Sequence, residues 1–285
     1  MTWTIQDRTV LITGGNSGLG MATASLLAER GARVVITARD TTKGDAAARA
    51  IERETGRMVA VMHLDLADLS SVRSFAASFT SSHDDLAVLI NNAGGVFGSR
   101  RETADGFEMT IGTNHLGPFL LTNLLTDLLV RSAPSRIINV ASVAHTYAKD
   151  GIRFDDFMWE DTRYRQMYVY GHSKLANILH ARELNNRLAD REVTAYSVHP
   201  GLVKTGFGGG GDSFIVGLVV KLARRRFATP SDGAATTVFL ATDSDVVADA
   251  GGYFVDCALS KSTRHAKDDD QAARLWNLSG SYVGS

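Results

Sequence analysis

A single cysteine, Cys257, stands in 285 residues. It can form no internal disulfide, and no Cys/His group has the spacing of a structural zinc site, so the sequence fits a reducing compartment and a fold that needs no metal. Charge of one sign is also scarce: 30 Lys and Arg face 31 Asp and Glu, a formal net charge of −1. That balance leaves no cationic excess for phosphate backbones or acidic lipid and argues against nucleic-acid partners. No apolar run approaches the roughly 18 residues that cross a bilayer. The start, Met1 to Arg8, has neither the apolar core nor the basic flank of a signal peptide. The expectation is a soluble, cytoplasmic protein without a membrane anchor.

What is present is a rhythm. Short apolar runs alternate with longer amphipathic stretches, which predicts βαβ units and a doubly wound, parallel α/β sheet flanked by helices. Strands are expected near Val10–Thr13, Arg33–Thr37, Val59–His63, Ala87–Asn91, Arg136–Val140, Val193–His199 and Tyr253–Val255. Helices are expected over stretches such as Leu19–Arg30, Leu69–Phe79, Phe107–Leu129 and Gly171–Leu188, with Gly31 closing the first. Length alone suggests about two domains. No repeat, linker or composition shift divides the chain, so one domain over residues 1–285 is the reading. Residues 206–226 join a glycine run to an apolar stretch ending in three arginines. They read either as a substrate lid or as a surface loop and helix.

The first strand-to-helix turn is Thr13-Gly14-Gly15-Asn16-Ser17-Gly18-Leu19-Gly20. Glycines there let a pyrophosphate approach the amides at the positive end of the following helix, which makes the segment a dinucleotide cradle, although a glycine cluster alone also fits a plain turn. The second strand ends Thr37-Ala38-Arg39-Asp40. Ala38 stands where a carboxylate would select an unphosphorylated ribose, and Arg39 can pair with a 2′-phosphate, so NADP(H) is favoured. A solvated Arg39–Asp40 pair is the plainer alternative.

Further along come Asn91-Asn92-Ala93-Gly94, Ser142, and Tyr170-Gly171-His172-Ser173-Lys174. A lysine four residues after a tyrosine on a helix shares its face, and its charge favours the phenolate. Tyr170 is therefore the candidate general acid/base; Tyr147, Tyr164 and Tyr168 have no such lysine. His172 is expected on the helix surface and His199 in a structural role. No Gly-x-Ser-x-Gly elbow supports serine hydrolysis.

In this order the motifs resemble the short-chain dehydrogenase/reductase family over almost the whole chain. The resemblance implies a Rossmann-type fold and hydride exchange with a nicotinamide. It assigns Tyr170 as proton donor, Ser142 as partner of the substrate oxygen, Lys174 as a contact to the nicotinamide ribose as well, and Asn114 as holder of a water in the proton relay. For the cofactor it implies Gly14, Asn16, Ser17, Gly18, Leu19, Gly20, Arg39, Asp65, Leu66, Asn91, Ala93, Gly94, Tyr170, Lys174, Pro200, Gly201, Val203 and Thr205. Asp65 also reads as a loop cap. A homodimer or homotetramer is a further family expectation.

Leu175-Ala176-Asn177, the run from Asn114 to Thr122 and Ala273-Arg274-Leu275-Trp276 are similar to the retinol dehydrogenase and WW-domain oxidoreductase branch. Ser142 and Tyr170 stand 28 positions apart, and this branch carries an insertion there. Its Phe154, Phe157, Met158, Trp159, Tyr164, Met167 and Tyr168 suit either a lipophilic substrate or core packing. The leading expectation is an NADP(H)-dependent oxidoreductase of a lipophilic carbonyl or alcohol. The alternatives are a reductase of a quinone or aromatic polyketide and a catalytically weak NADP(H)-sensing protein.

Overall fold

The computed structural model describes residues 3–201 and 229–284. The candidate lid at 206–226, Val203 and Thr205 lie outside the described residues. In chain order the elements are β1 (Thr9–Ile12), α1 (Gly18–Glu29), β2 (Arg33–Ala38), α2 (Thr41–Thr55), β3 (Ala60–His63), α3 (Leu69–Ser82) and β4 (Val88–Asn91). Then follow α4 (Met109–Ile111), a π-helical turn (Gly112–Leu116), α5 (Gly117–Arg131), β5 (Ser135–Val140), a 3-10 turn (Val143–Tyr147) and α6 (Gln166–Leu188). β6 (Val193–His199), α7 (Pro230–Thr242), β7 (Tyr253–Val255), β8 (Ala258–Leu259) and α8 (Asp269–Val283) follow, with further 3-10 turns at Ala189–Arg191, Asp245–Asp249 and His265–Lys267.

The strands form one sheet in the order β3-β2-β1-β4-β5-β6-β7-β8, parallel except for the antiparallel β8. Register is direct at its centre: Ile12 lies beside Ile36 on one side and Ile90 on the other. The winding reverses between β1 and β4, the place where open α/β sheets bind ligands beyond their strand ends. Successive residues feed opposite cores, Val10 and Ile12 packing with α1, α2 and α7, Leu11 with α3, α5, α6 and α8. Burial on both faces explains why these strands are continuous apolar runs, and each fully buried Leu or Ile contributes roughly 1.5–3 kcal/mol.

Gly31 closes α1 as expected, with φ +84 and its N–H donated to the Ala28 carbonyl. Two helices differ from the sequence reading. The stretch expected as one helix over Phe107–Leu129 begins at Met109, because the buried Glu108 carboxylate accepts from the Thr110 and Ile111 amides, and it widens into the π-turn around Asn114. α6 starts at Gln166, so Tyr170 lies in its second turn rather than at its opening. Among the described residues, no helix is long and apolar enough to cross a membrane.

The insertion before α6 is mostly core: Phe157, Met158 and Trp159 are buried. Tyr164 donates to Glu108 Oε1 (2.9 Å), which ties the insertion to the start of α4. Tyr168, by contrast, is exposed.

Candidate active site

Thr13, at the end of β1, is the knot of the cradle. Its buried Oγ1 accepts from the amides of Asn92 and Ala93, both at 3.0 Å, and binds the loop after β4 to the loop after β1. Asn92 Nδ2 donates to the carbonyls of Thr13 (2.8 Å) and Gly14 (3.3 Å). A methyl group at Gly20 would lie 2.4 Å from the Gly14 carbonyl oxygen and 2.5 Å from Asn92 Nδ2. Only glycine lets α1 come this close. Ser17 caps α1 in an extended conformation, yet its side chain bonds none of the first-turn amides. Those donors, at the positive end of the helix dipole, suit a pyrophosphate.

Asn16, Gly18 and Leu19 complete that turn. Arg39 projects exposed from the end of β2 and has no hydrogen bond or ion pair among the described residues. Asp40 does not pair with it. Instead it caps α2, accepting from Lys43 N at 3.2 Å, and its carboxylate meets Lys43 Nζ at 3.2 Å. Asp65 follows β3, and its Oδ1 accepts from Ala67 N (3.0 Å), the turn-closing role noted as an alternative. Leu66 is buried with its carbonyl against Gly117. The Asn91 amide is committed inward, donating to Thr122 Oγ1 (3.0 Å) and Asn139 Oδ1 (2.9 Å). Ala93 and Gly94 follow it, while Pro200 and Gly201 leave β6, all at the same sheet edge.

The catalytic candidates converge at the ends of β4 and β5. Ser142 Oγ accepts from Ala144 N (3.1 Å), and its hydroxyl is near enough to Tyr170 to pull the phenol's pKa down. Lys174 Nζ sits 5.5 Å from the centre of the Tyr170 ring and donates to the Val140 carbonyl at 2.9 Å. Asn114 is fully buried in the π-turn. Its Oδ1 accepts from Gly95 N (2.8 Å), and its Nδ2 reaches Gly95 O (2.9 Å) and Ser173 Oγ (3.0 Å). A methyl at Gly94 would lie 2.9 Å from Asn114 Oδ1 and 3.6 Å from Lys174 Nζ, so this bare backbone is the wall between Asn114 and the lysine.

Electrostatics modifies the sequence-based expectation for Tyr170. Burial pushes its phenol up to about 12, against the pull of the Ser142 hydrogen bond. Burial lowers Lys174 to about 8. Enclosure outweighs the pull of Ser142, and the tyrosine is protonated at neutral pH.

His172 is buried rather than on the surface, because the insertion covers it: its Nδ1 meets the Tyr168 carbonyl at 2.8 Å and its ring stands edge-on to Trp159. Sequence reasoning missed Thr13, Asn92, Gly95 and Ser173, which brace the named residues. Thr13, Asn92 and Ser173 lie inside recognised motifs and Gly95 adjoins one, so motif membership was the available signal.

A glycine cradle at the switch point, facing a Ser–Tyr–Lys corner on the same sheet edge, defines a dinucleotide-binding oxidoreductase. The sequence matches the short chain dehydrogenase family over residues 8–153. Retinol dehydrogenase 12 of Mus musculus is 43% identical over 98% of this chain and 87% of its own length. Retinol dehydrogenase 14 of Homo sapiens is 42% identical with the same coverage. The solved structure of an uncharacterised protein from Mycobacterium paratuberculosis superposes with a TM-score of 0.78 at 36% identity, covering 100% of this chain and 98% of that one. L-Sorbose reductase of Gluconobacter frateurii, solved with NADPH and L-sorbose, agrees in fold (TM-score 0.71, 24% identity, 92% of this chain and 100% of that one). The chain belongs to the short-chain dehydrogenase/reductase family, in its retinol dehydrogenase branch, and is a hydride-transfer oxidoreductase with a nicotinamide cofactor.

Proposed function

We propose that the protein is an NADP(H)-dependent oxidoreductase that interconverts a lipophilic carbonyl compound and its alcohol, with Tyr170 as general acid/base. The observation that carries this reading is the pairing of Tyr170 with Lys174 on α6, the ammonium 5.5 Å from the centre of the tyrosine ring, in the corner that also holds Ser142. Arg39, exposed and free of any pairing with Asp40, supports the phosphorylated cofactor. Support for a lipophilic substrate comes from the retinol dehydrogenase relatives and from the exposed Val143 and Tyr147 in the turn that follows Ser142.

The amides of the Gly14–Gly20 turn would hold the pyrophosphate, Arg39 the 2′-phosphate, and Lys174 the nicotinamide ribose. When bound, the nicotinamide supplies or accepts hydride at the carbonyl carbon. Ser142 donates to the substrate oxygen, its own oxygen kept in place by Ala144 N–H. Tyr170 gives that oxygen its proton, which removes the need for a free alkoxide. The high tyrosine pKa keeps the donor loaded at neutral pH. The Lys174 charge stabilises the phenolate left behind.

The test is NADPH oxidation by the purified protein across matched lipophilic ketones, aldehydes and quinones, with every product identified. Alcohol products that vanish in Tyr170→Phe support the proposal. Turnover confined to quinones and indifferent to that change would replace it with quinone reduction, and cofactor binding without any turnover would point to a sensor.

A further inference from the structure

His145 lies three residues after Ser142, buried beneath the 3-10 turn, and both of its ring nitrogens are engaged. Nδ1 lies 2.8 Å from the Ser142 carbonyl oxygen, which also accepts from the His145 backbone N–H at 3.1 Å. On the far side of the ring the Thr263 amide points at Nε2 at 3.4 Å. A backbone N–H can only donate and a carbonyl can only accept, so the two partners dictate a neutral ring with its proton on Nδ1. Tyr253 of β7 holds the plane of that ring, edge to face with centroids 5.0 Å apart.

We propose that His145 is a positioning residue for the reaction: it fixes the carbonyl of Ser142 and anchors the serine turn to the Thr263 segment, so that the Ser142 hydroxyl keeps its place beside Tyr170. The inference rests on the reading of Ser142 and Tyr170 given above. The serine is then held at two points, its hydroxyl by Ala144 N–H and its carbonyl by the imidazole. Through its other nitrogen, which accepts from Thr263 N–H, the imidazole crosses 118 positions of sequence. It joins the end of β5 to the segment that leads into α8, and α8 packs on α6, the helix that carries Tyr170.

The surroundings favour the neutral ring. Burial lowers the His145 pKa, and His199, from the end of β6, is a second imidazole close enough that the two charges would repel. The titratable groups around the pair are Tyr253 on β7, Asp256 in the β7–β8 turn facing His199, and Tyr170 across Ser142. A proton on Nε2 would set a donor against the Thr263 donor and loosen the anchor.

Full-length His145→Phe and His145→Asn are compared with wild type for kcat per folded molecule, carbonyl-substrate KM and NADPH affinity, together with the imidazole nitrogen resonances of the wild type. The Phe variant should lose about tenfold or more in kcat, the scale expected when a reacting group is misplaced, with NADPH affinity unchanged. Asn retains a donor at the Nδ1 position and should recover most of that loss. The wild-type spectrum should show a neutral Nδ1–H ring at neutral pH. A purely structural ring would reduce the folded fraction and leave kcat per folded molecule untouched, and that result overturns the proposal. So does an Nε2–H tautomer or a charged ring at neutral pH. If the wild type reduces no carbonyl in the panel, the proposed function falls while the imidazole spectrum still decides the anchor.

Discussion

Around Gly14–Gly20 the chain offers a ligand its backbone, whereas around Ser142 and Tyr170 it offers side chains. Both regions lie at the C-terminal ends of the parallel strands, and both are braced by partners distant in sequence. In the cradle the braces, Thr13 and Asn92, hold main-chain atoms in place, and the glycines earn their position by being absent of a side chain. In the catalytic corner each functional group has its own tether: Ala144 for Ser142, Gly95 for Asn114, the Val140 carbonyl for Lys174. Truncating a side chain should therefore hurt chemistry in the corner, and adding one should hurt structure in the cradle.

The largest expected effect is in the corner. Ser142→Ala should lower kcat/KM for carbonyl reduction by about 10²–10³, the range of a lost oxyanion donor, with the melting temperature within a few degrees of wild type. Initial rates and thermal melts on one preparation check both halves. An equal collapse of stability would mean that the corner is structural and the contrast false. In the cradle, Gly20→Val should cost about 2–4 kcal/mol of stability and abolish NADPH binding, since the added carbon meets backbone that cannot move aside. Denaturant melts and cofactor titration measure it.

Lys174→Met sharpens the comparison because activity and stability should move in opposite directions. Burial holds the folded-state lysine at about 8, below its ordinary 10.5. The unfolded chain therefore binds more protons between those values, and wild-type stability should rise with pH across that window. Keeping the charge buried at neutral pH costs at most about 3 kcal/mol. The Met variant should lose nearly all turnover, match or exceed wild-type stability at pH 7, and lack the lysine's share of the wild-type change, so that its stability advantage shrinks from pH 8 to 10.5. Reduction by the wild type should decline above about pH 8 as the lysine discharges. Arg39→Ala tests the rim of the cradle: NADPH affinity should fall about tenfold, a loss of one exposed charge-assisted contact, while NADH binding stays within about twofold.

How much of this was legible in the sequence follows from the same contrast. The strands could be read because burial on both faces makes them uninterrupted apolar runs, and the cradle because glycine spacing records a backbone shape directly. Tyr170 and Lys174 could be paired because one helical turn joins them. The tethers were hidden for the opposite reason. Asn114 meets Gly95 and Ser173 only through a π-turn that helical periodicity does not disclose, and His145 meets Thr263 only after β6 and β7 have been laid into the sheet. His172 looked like a surface residue because its cover, Trp159, comes from an insertion with no period of its own. The lowered lysine and raised tyrosine are likewise products of burial, which local spacing does not carry.

The smallest expected effect decides whether the start of α1 is built for a ligand. α2, α3, α7 and α8 all begin with a side chain accepting from a first-turn amide: Asp40, Asp68, Thr229 and Asp268. α1 begins with Ser17, a residue type that caps well, yet its side chain makes no such bond. Removing the Asp68 carboxylate by Asp68→Ala should cost about 1 kcal/mol, the usual value of a cap. Ser17→Ala should change stability by less than about 0.5 kcal/mol, because there is no bond to lose. Equal losses in urea melts would show that Ser17 satisfies the α1 amides in solution, and the donors assigned to a pyrophosphate would already be occupied. Unequal losses, with added NADPH stabilising both variants, would mean that these amides are kept open for the cofactor by the extended conformation of the serine.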